Sequence, residues 1–442
     1  MRRTKMSKNT LERSVLKSSL LSEEYTLFSH PSGLKIYVFP KNLTTTYAIM
    51  GVRYGSLNNR FSLLGSDEML TVPDGIAHFL EHKLFTNEDG SDSFERFAQY
   101  GADANAYTSF NKTAYLFSCT DDCADALGEL IDFVTHPYFT DSSVASEVGI
   151  IAEEIKMYDD SPSDRCFYGM LEGMYEHHSI RRNICGSVDS ISQITKETLY
   201  DCYNAFYNLG NMALIVCGDV DPDDILAIAN AHLPKSAPEF TTLADNENKN
   251  ESDKVFIPYV EQEMQVAKPI FNIGFKDISI PEDPTERLKK DAAMAILDEM
   301  IFSRAGKLYN DLFERDVISP HFSYGYSINK SVAYNSVAGE ADDPRLVLEE
   351  ILHYIERLSS EGLSEEDFLR GKRVMYSEFV KSFDSTDNIA NNLLAFFCED
   401  GELLSYAEII ESVTFDDVRA LFKESFSPDR ITLSVVKPLK NL

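Results

Sequence analysis

The arrangement of segments in the first half of this chain is written again in the second. Leu127-Gly-Glu-Leu-Ile131-Asp-Phe133 stands before a helical run carrying Glu147 and Glu154, and Val347-Leu-Glu-Glu-Ile351-Leu-His-Tyr354 stands before the helical run 364–379. Each half then closes from helix to strand, 199–207 into 213–217 and 418–426 into 431–436. A duplicated pattern of this kind predicts two similar bodies. The length agrees, since 442 residues exceed what one core normally holds and 43% apolar content suffices for two. Alternating strands such as Leu34-Lys-Ile-Tyr-Val38 and Ala48-Ile-Met-Gly-Val-Arg-Tyr54, mixed with amphipathic helices, give each half an α+β character. A polar, Pro-bearing stretch from Pro234 to Asp253 has little to bury. It predicts an N-terminal domain 1–235, a linker 236–255 and a C-terminal domain 256–442.

The chemistry is concentrated in the first half. In Ala77-His78-Phe-Leu-Glu81-His82-Lys-Leu-Phe85 the helical period puts two imidazoles four residues apart on one face with a carboxylate beside the second. Such a pair can hold one Zn²⁺ by nitrogen while a carboxylate outside the ligand set takes a proton from water. The order His-x-x-Glu-His is that of the inverzincins. Upstream, Thr71-Val-Pro73-Asp74-Gly75 is turn chemistry with an N-cap candidate, and Ile76, Ala77, Phe79, Leu80, Leu84 and Phe85 predict a largely buried helix. The second half has no His-x-x-Glu-His.

Catalytic zinc takes three protein ligands and leaves a position for water. The best candidate for the third is Glu154, on a helix over 142–158 opened by Asp141 or Ser142. Glu147 and Glu154 are seven apart and share a face, whereas Glu153 is rotated about 100° away.

His78-x-x-Glu81-His82 followed by the Glu147 and Glu154 pair resembles the pitrilysin and insulin-degrading enzyme family of metallopeptidases. Gly51-Val-Arg-Tyr-Gly-Ser56 resembles the strand before its zinc helix, and Ile184-Cys-Gly186 with Asn211 through Asp221 resembles its closing strand region. Asn105-Ala-Tyr-Thr-Ser109 and Thr113-Ala-Tyr-Leu-Phe117 resemble the edge strand that pairs with substrate backbone there. The likeness spans nearly the whole chain and is closest to the small bacterial branch. It implies two homologous domains, each an antiparallel β-sheet backed by α-helices as in mitochondrial processing peptidase, together enclosing a chamber. It also implies His78, His82 and Glu154 as Zn²⁺ ligands, Glu81 as general base, and Glu147 as a catalytic-site carboxylate steadying a ligand from outside the coordination sphere. The activity implied is zinc-dependent hydrolysis of peptide substrates.

One stretch departs from that pattern. Where the family's second domain presents Arg and Tyr, this chain reads Leu312-Phe313-Glu314-Arg315-Asp316-Val317-Ile318-Ser319-Pro320, with Phe313 and Pro320 at those positions and Arg315, Tyr324 and Tyr326 nearby. Some members work as pairs, one subunit carrying zinc and the other the Arg and Tyr. A related partner subunit in a heterodimer is therefore expected, with a homodimer as the other arrangement. The alternative function is a non-catalytic zinc- or peptide-binding subunit of a processing complex.

Net charge is −31 from 72 acidic and 41 basic residues, which argues against nucleic acid or anionic membrane as partner and suits a soluble surface. No run reaches a membrane span, and the basic start Met1-Arg-Arg-Thr-Lys-Met-Ser-Lys has no apolar core after it, so a cytoplasmic location is expected. Seven scattered cysteines read as reduced, buried thiols, Cys119 and Cys123 among them, and His177-His178 reads as an exposed turn.

Overall fold

The computed structural model describes residues 11–63, 66, 68–121, 123–237, 243–244 and 251–439. Its first half runs β1 (Glu12–Ser18), β2 (Glu23–Ser29), β3 (Lys35–Pro40), β4 (Thr46–Val52), β5 (Arg60–Ser62), β6 (Met69–Thr71), α1 (Ile76–Leu84), α2 (Ser93–Gln99), β7 (Asp103–Thr108) and β8 (Thr113–Cys119). It continues with α3 (Ala124–Thr135), α4 (Asp141–Asp159), α5 (Pro162–Met174), α6 (Val188–Ile191), α7 (Lys196–Phe206), β9 (Met212–Gly218), α8 (Pro222–His232) and β10 (Leu243–Ala244). The second half begins with β11 (Tyr259–Met264), β12 (Ile270–Asp277), α9 (Pro284–Ile301), α10 (Lys307–Glu314), β13 (Phe322–Ile328) and β14 (Ala333–Glu340). It ends with α11 (Pro344–Glu361), α12 (Glu365–Lys381), α13 (Thr386–Cys398), α14 (Tyr406–Ser412), α15 (Phe415–Ser425) and β15 (Ile431–Pro438). The run from β3 to β9 thus recurs from β11 to β15, apart from the short strands β5 and β6.

The sheets carry the same duplication. Of the two large sheets one has the order β1-β2-β3-β9-β4-β8-β7 and the other β11-β15-β12-β14-β13, which repeats the last five strands of the first, while β10-β5-β6 form a small third sheet. All pairs are antiparallel except β3 with β9 and β11 with β15. Each exception has one cause: the closing strand inserts between two strands that run in opposite directions, so it must be parallel to one of them. The inserted strand β9 and its neighbour β4 are buried throughout, which explains their almost wholly apolar sequences.

The chain forms two compact units that are interleaved along the sequence. One comprises Met1–Ile155, Asn183–Asn246 and Ser382–Leu404; the other comprises Lys156–Arg182, Glu247–Lys381 and Ser405–Leu442. Helix α5 of the first half lies on β12 and β15 in the second unit, and its counterpart α13 lies on β4 and β9 in the first. Composition hides this exchange, because a helix buries the same apolar face whichever sheet receives it. A glycine makes room at each seat. A Cβ on Gly51 of β4 would overlap the side chain of Leu394 of α13, and a Cβ on Gly274 of β12 would stand 2.7 Å from Met170 Cγ of α5.

The part of the expected linker at 238–242 and 245–250 lies outside the described residues. Its end is anchored: Glu251 accepts the backbone N–H groups of Glu176, His177 and His178 and pairs with the buried Lys276 ammonium at 2.9 Å. His178 is buried, contrary to the exposed turn expected for the His177-His178 pair, because its Nδ1 accepts the Ile180 N–H at 3.0 Å beside the Tyr175 ring. All seven cysteines are buried free thiols. Among the described residues no helix is long and apolar enough to cross a membrane.

Candidate metal centre

Helix α1 is nine residues long, and all but one of them are buried. Its first turn is set by two interlocked glycines. Gly75 is the N-cap at φ 88° and Gly186 sits at φ 72°; a Cβ on either would collide with the backbone of the other's loop, at Cys185 O and Asp74 O. Left-handed backbone and this closeness both require glycine. Asp74 does not cap the helix, as its carboxylate accepts from Asn59 Nδ2 at 3.0 Å. The start of α1 is therefore fixed by packing rather than by a side-chain cap.

From this seat His78 and His82 project toward α4. His78 Nε2 lies 3.5 Å from Glu154 Oε1, and His82 Nε2 lies 3.3 Å from Glu154 Oε2. One donor atom from each of the three residues falls within 4.8 Å of the others. A tetrahedral metal about 2.0–2.1 Å from each donor holds them about 3.4 Å apart, so this set fits Zn²⁺ in size as well as in donor type. Two imidazoles and one carboxylate are also the donors zinc takes when a position is left for water. Among the described residues no other group of His, Cys, Asp and Glu converges in this way.

Glu147, two turns before Glu154, stands behind His82. Its Oε1 lies 3.2 Å from His82 Nδ1 and its Oε2 lies 3.0 Å from Lys83 Nζ. The sequence reading missed Lys83, although a lysine inside an otherwise apolar helical run was a visible signal. Its side chain is 3% exposed and also donates to Thr86 Oγ1 at 3.2 Å.

Glu81 faces the sheet. It is 8% exposed, and Thr108 Oγ1 at the end of β7 donates to its Oε2 at 2.5 Å. Thr108 lies in the Asn105–Ser109 stretch that resembles the family's edge strand, but its bond to Glu81 depends on how the helix meets the strand. β7 is the edge of the seven-stranded sheet.

Burial raises the Glu81 carboxyl above its ordinary value, with His78 and Thr108 pulling the other way. Hydrogen bonding to His78 and then His82 holds Glu154 well below the usual carboxylate range. For His82 burial favours the neutral ring, yet Glu147 and Glu154 on its two nitrogens outweigh it and carry the ring up to about 9. For Glu147 burial is likewise outweighed, by bonds to His82 and Lys83 that lower it.

The residues near the departing stretch are committed elsewhere in the second unit. Arg315 pairs with Asp311 at 2.7 Å and Glu350 at 2.5 Å, while the hydroxyls of Tyr324 and Tyr326 donate to Glu299 at 2.5 Å and Asp277 at 2.7 Å. Phe313 is exposed and stacks on Tyr309.

Residues 66–187, which include the whole cluster, match the family model described as insulinase, peptidase family M16, and residues 193–375 match that of the peptidase M16 inactive domain. A protein of Bacillus subtilis (strain 168) named uncharacterized zinc protease YmfH is 38% identical over 92% of this chain and 95% of its own length. An uncharacterized zinc protease of Rickettsia felis is 26% identical over 94% of this chain and 98% of its own. Among solved structures, a putative M16-like peptidase from Alicyclobacillus acidocaldarius superposes with a TM-score of 0.89 at 30% identity, covering 98% of this chain and all of that one. Identity at this level over nearly the full length of both chains makes the relationship one of family, and this chain belongs to peptidase family M16.

Proposed function

We propose that this chain is a zinc-dependent endopeptidase that holds Zn²⁺ with His78, His82 and Glu154 and uses Glu81 as general base. The observation that carries the reading is the convergence of those three donors within 4.8 Å beside a buried carboxylate. Bound zinc supplies a Lewis acid and brings the pKa of its water from about 16 to about 7. Glu81 takes the proton of the attacking water and returns it to the leaving amine nitrogen as the C–N bond breaks. Burial favours the protonated carboxyl and so suits a group that must hold that proton between the two steps. Thr108 fixes one oxygen of Glu81 and leaves the other for water. A peptide in extended conformation can add its backbone to the edge strand β7, which ends at Thr108. Glu147 orients His82 through Nδ1.

The oxyanion that forms needs a further donor, and the committed side chains of Arg315, Tyr324 and Tyr326 leave that role open. A related subunit supplying Arg and Tyr fills it. The test is cleavage of a fluorogenic peptide library by the purified chain, alone and mixed with a related chain from the same genome, with and without a chelator. Chelator-sensitive cleavage only in the mixture is expected. Full activity of this chain alone overturns the partner reading, and zinc bound without cleavage in either case overturns the peptidase reading.

A further inference from the structure

The second unit contains, at the position of the metal helix, a version that gathers no metal-ligand group among the described residues. The last turns of α9 repeat α1 residue by residue: Phe79, Leu80, Glu81, Leu84 and Phe85 correspond to Ile296, Leu297, Asp298, Ile301 and Phe302, and all ten are buried. The short helices that follow, α2 and α10, are each followed two residues after their last by a residue with positive φ, Gly101 at 66° and Asp316 at 57°. In this register His78 corresponds to Ala295, His82 to Glu299 and Lys83 to Met300. The helices α4 and α12 align from their first residues, which sets Glu147 against Gly371. Space confirms that alignment, since a Cβ on Gly371 would come within 3.2 Å of Glu299 Cβ, just as Glu147 meets His82.

Lys83 stands apart from its counterpart in the second unit. Where the imidazoles and Glu147 are absent, the same position is filled by Met300, buried with 4% of its surface exposed. The fold itself therefore asks for a long apolar side chain there, and the ammonium in the first unit answers to something else. Its anionic contact is Glu147, whose other oxygen faces His82 Nδ1. His78 has no such support, as its buried Nδ1 meets no acceptor among the described residues. The orientation of the histidine pair thus rests on the His82 arm. With Zn²⁺ bound, the three carboxylates Glu81, Glu147 and Glu154 together with the Lys83 ammonium and the dication carry no net charge, whereas a methionine at 83 would leave one negative charge buried.

We infer that Lys83 is a positioning residue of the metal centre: its ammonium clamps the Glu147 carboxylate as acceptor for His82 Nδ1–H, which turns His82 Nε2 to the metal, and it balances the charge of the loaded site. This rests on the zinc reading proposed above. A partner outside the coordination sphere of this kind is worth about 10–100-fold in metal affinity.

The test measures the zinc dissociation constant by chelator competition for the wild-type chain and for Lys83→Met, Glu147→Gln and their double variant, with the unfolding midpoint of each metal-free protein. Lys83→Met is expected to bind zinc about 10–100-fold more weakly at an unchanged or higher metal-free midpoint. The double variant is expected to be no weaker than the weaker single one, because both changes break one arm. Lys83→Met binding within twofold of wild type overturns the inference, as does a double variant in which the two losses multiply. Should Lys83→Met fail to fold, Lys83→Gln takes its place with the same two criteria. A wild-type chain that binds no zinc, or whose binding survives His82→Ala, overturns the zinc reading itself and is distinguishable from either result.

Discussion

Glu81 and Lys83 are both charged side chains enclosed in α1, and each is made tolerable by one neighbour that faces the chemistry. For Glu81 that neighbour is Thr108. Thr108→Val removes the donor and is expected to lower kcat roughly ten- to a hundredfold with zinc content unchanged, the kinetic equivalent of the about 1.5–3 kcal/mol of a hydrogen bond to a charged group. Steady-state kinetics with metal analysis on the same sample checks it; an unchanged kcat removes Thr108 from the site. Residues one helical turn apart were legible in the sequence because the period of a helix is fixed, so His78, Glu81 and His82 could be placed on one element without a structure. Glu154 was legible through its stripe with Glu147 and through family resemblance. Thr108 was not, since a threonine at the end of a strand acquires meaning only when a second element is brought to it; Lys83 was conspicuous among apolar residues, but its partner Glu147 was not readable from that.

At the scale of elements the exchanged helices carry the sharpest predictions. Gly51→Ala forces Leu394 out of its seat and is expected to cost about 1–3 kcal/mol of stability. Combined with Leu394→Ala, its cost should shrink, because the shortened side chain leaves room for the new methyl group. Urea unfolding of the two single variants and the pair reads this coupling, and strictly additive losses would show that the glycine seat is not what the contact suggests. The clasp around Glu251 predicts the acid limb of stability. Burial holds His178 down at about 4 against an ordinary 6.5, so an unfolded chain takes this proton first and the contribution fades as pH falls from 6.5 through 4. Glu251, although burial opposes it, is lowered to about 2 by Lys276 and the N–H groups of His177 and Glu176, so its contribution is present above about 4.5 and is lost as pH falls toward 2. Thermal midpoints measured from pH 7 to pH 3 should fall in this order, and His178→Gln should flatten the upper part of the profile. The polar stretch before β11 reads as a linker by composition alone; the anchoring of its end at Glu251 was not readable, because three backbone N–H groups converging on one carboxylate leave no trace in composition.

For the whole molecule, the duplication was readable because it repeats helix and strand patterns in the same order, and the reciprocal loan of α5 and α13 was not, because each helix would look the same if it stayed with its own half. The loan predicts that neither half is sufficient. A fragment ending at 237 lacks the helix that covers β4 and β9, and a fragment beginning at 251 lacks the helix that covers β12 and β15. Expressed singly, each should show lost near-ultraviolet dichroism and a tendency to aggregate; expressed together, they should form a one-to-one complex by sedimentation. A singly expressed fragment that unfolds cooperatively would contradict this account of the fold. The chemistry proposed at Glu81 is tested most directly by measuring zinc per chain and the initial rate of peptide hydrolysis on the same preparations of wild-type protein and Glu81→Gln, with the partner chain present. The account predicts one zinc per chain in both and turnover only in the wild type. Turnover that survives in Glu81→Gln, or zinc lost along with it, would contradict the assignment of Glu81 as a base that is not a ligand.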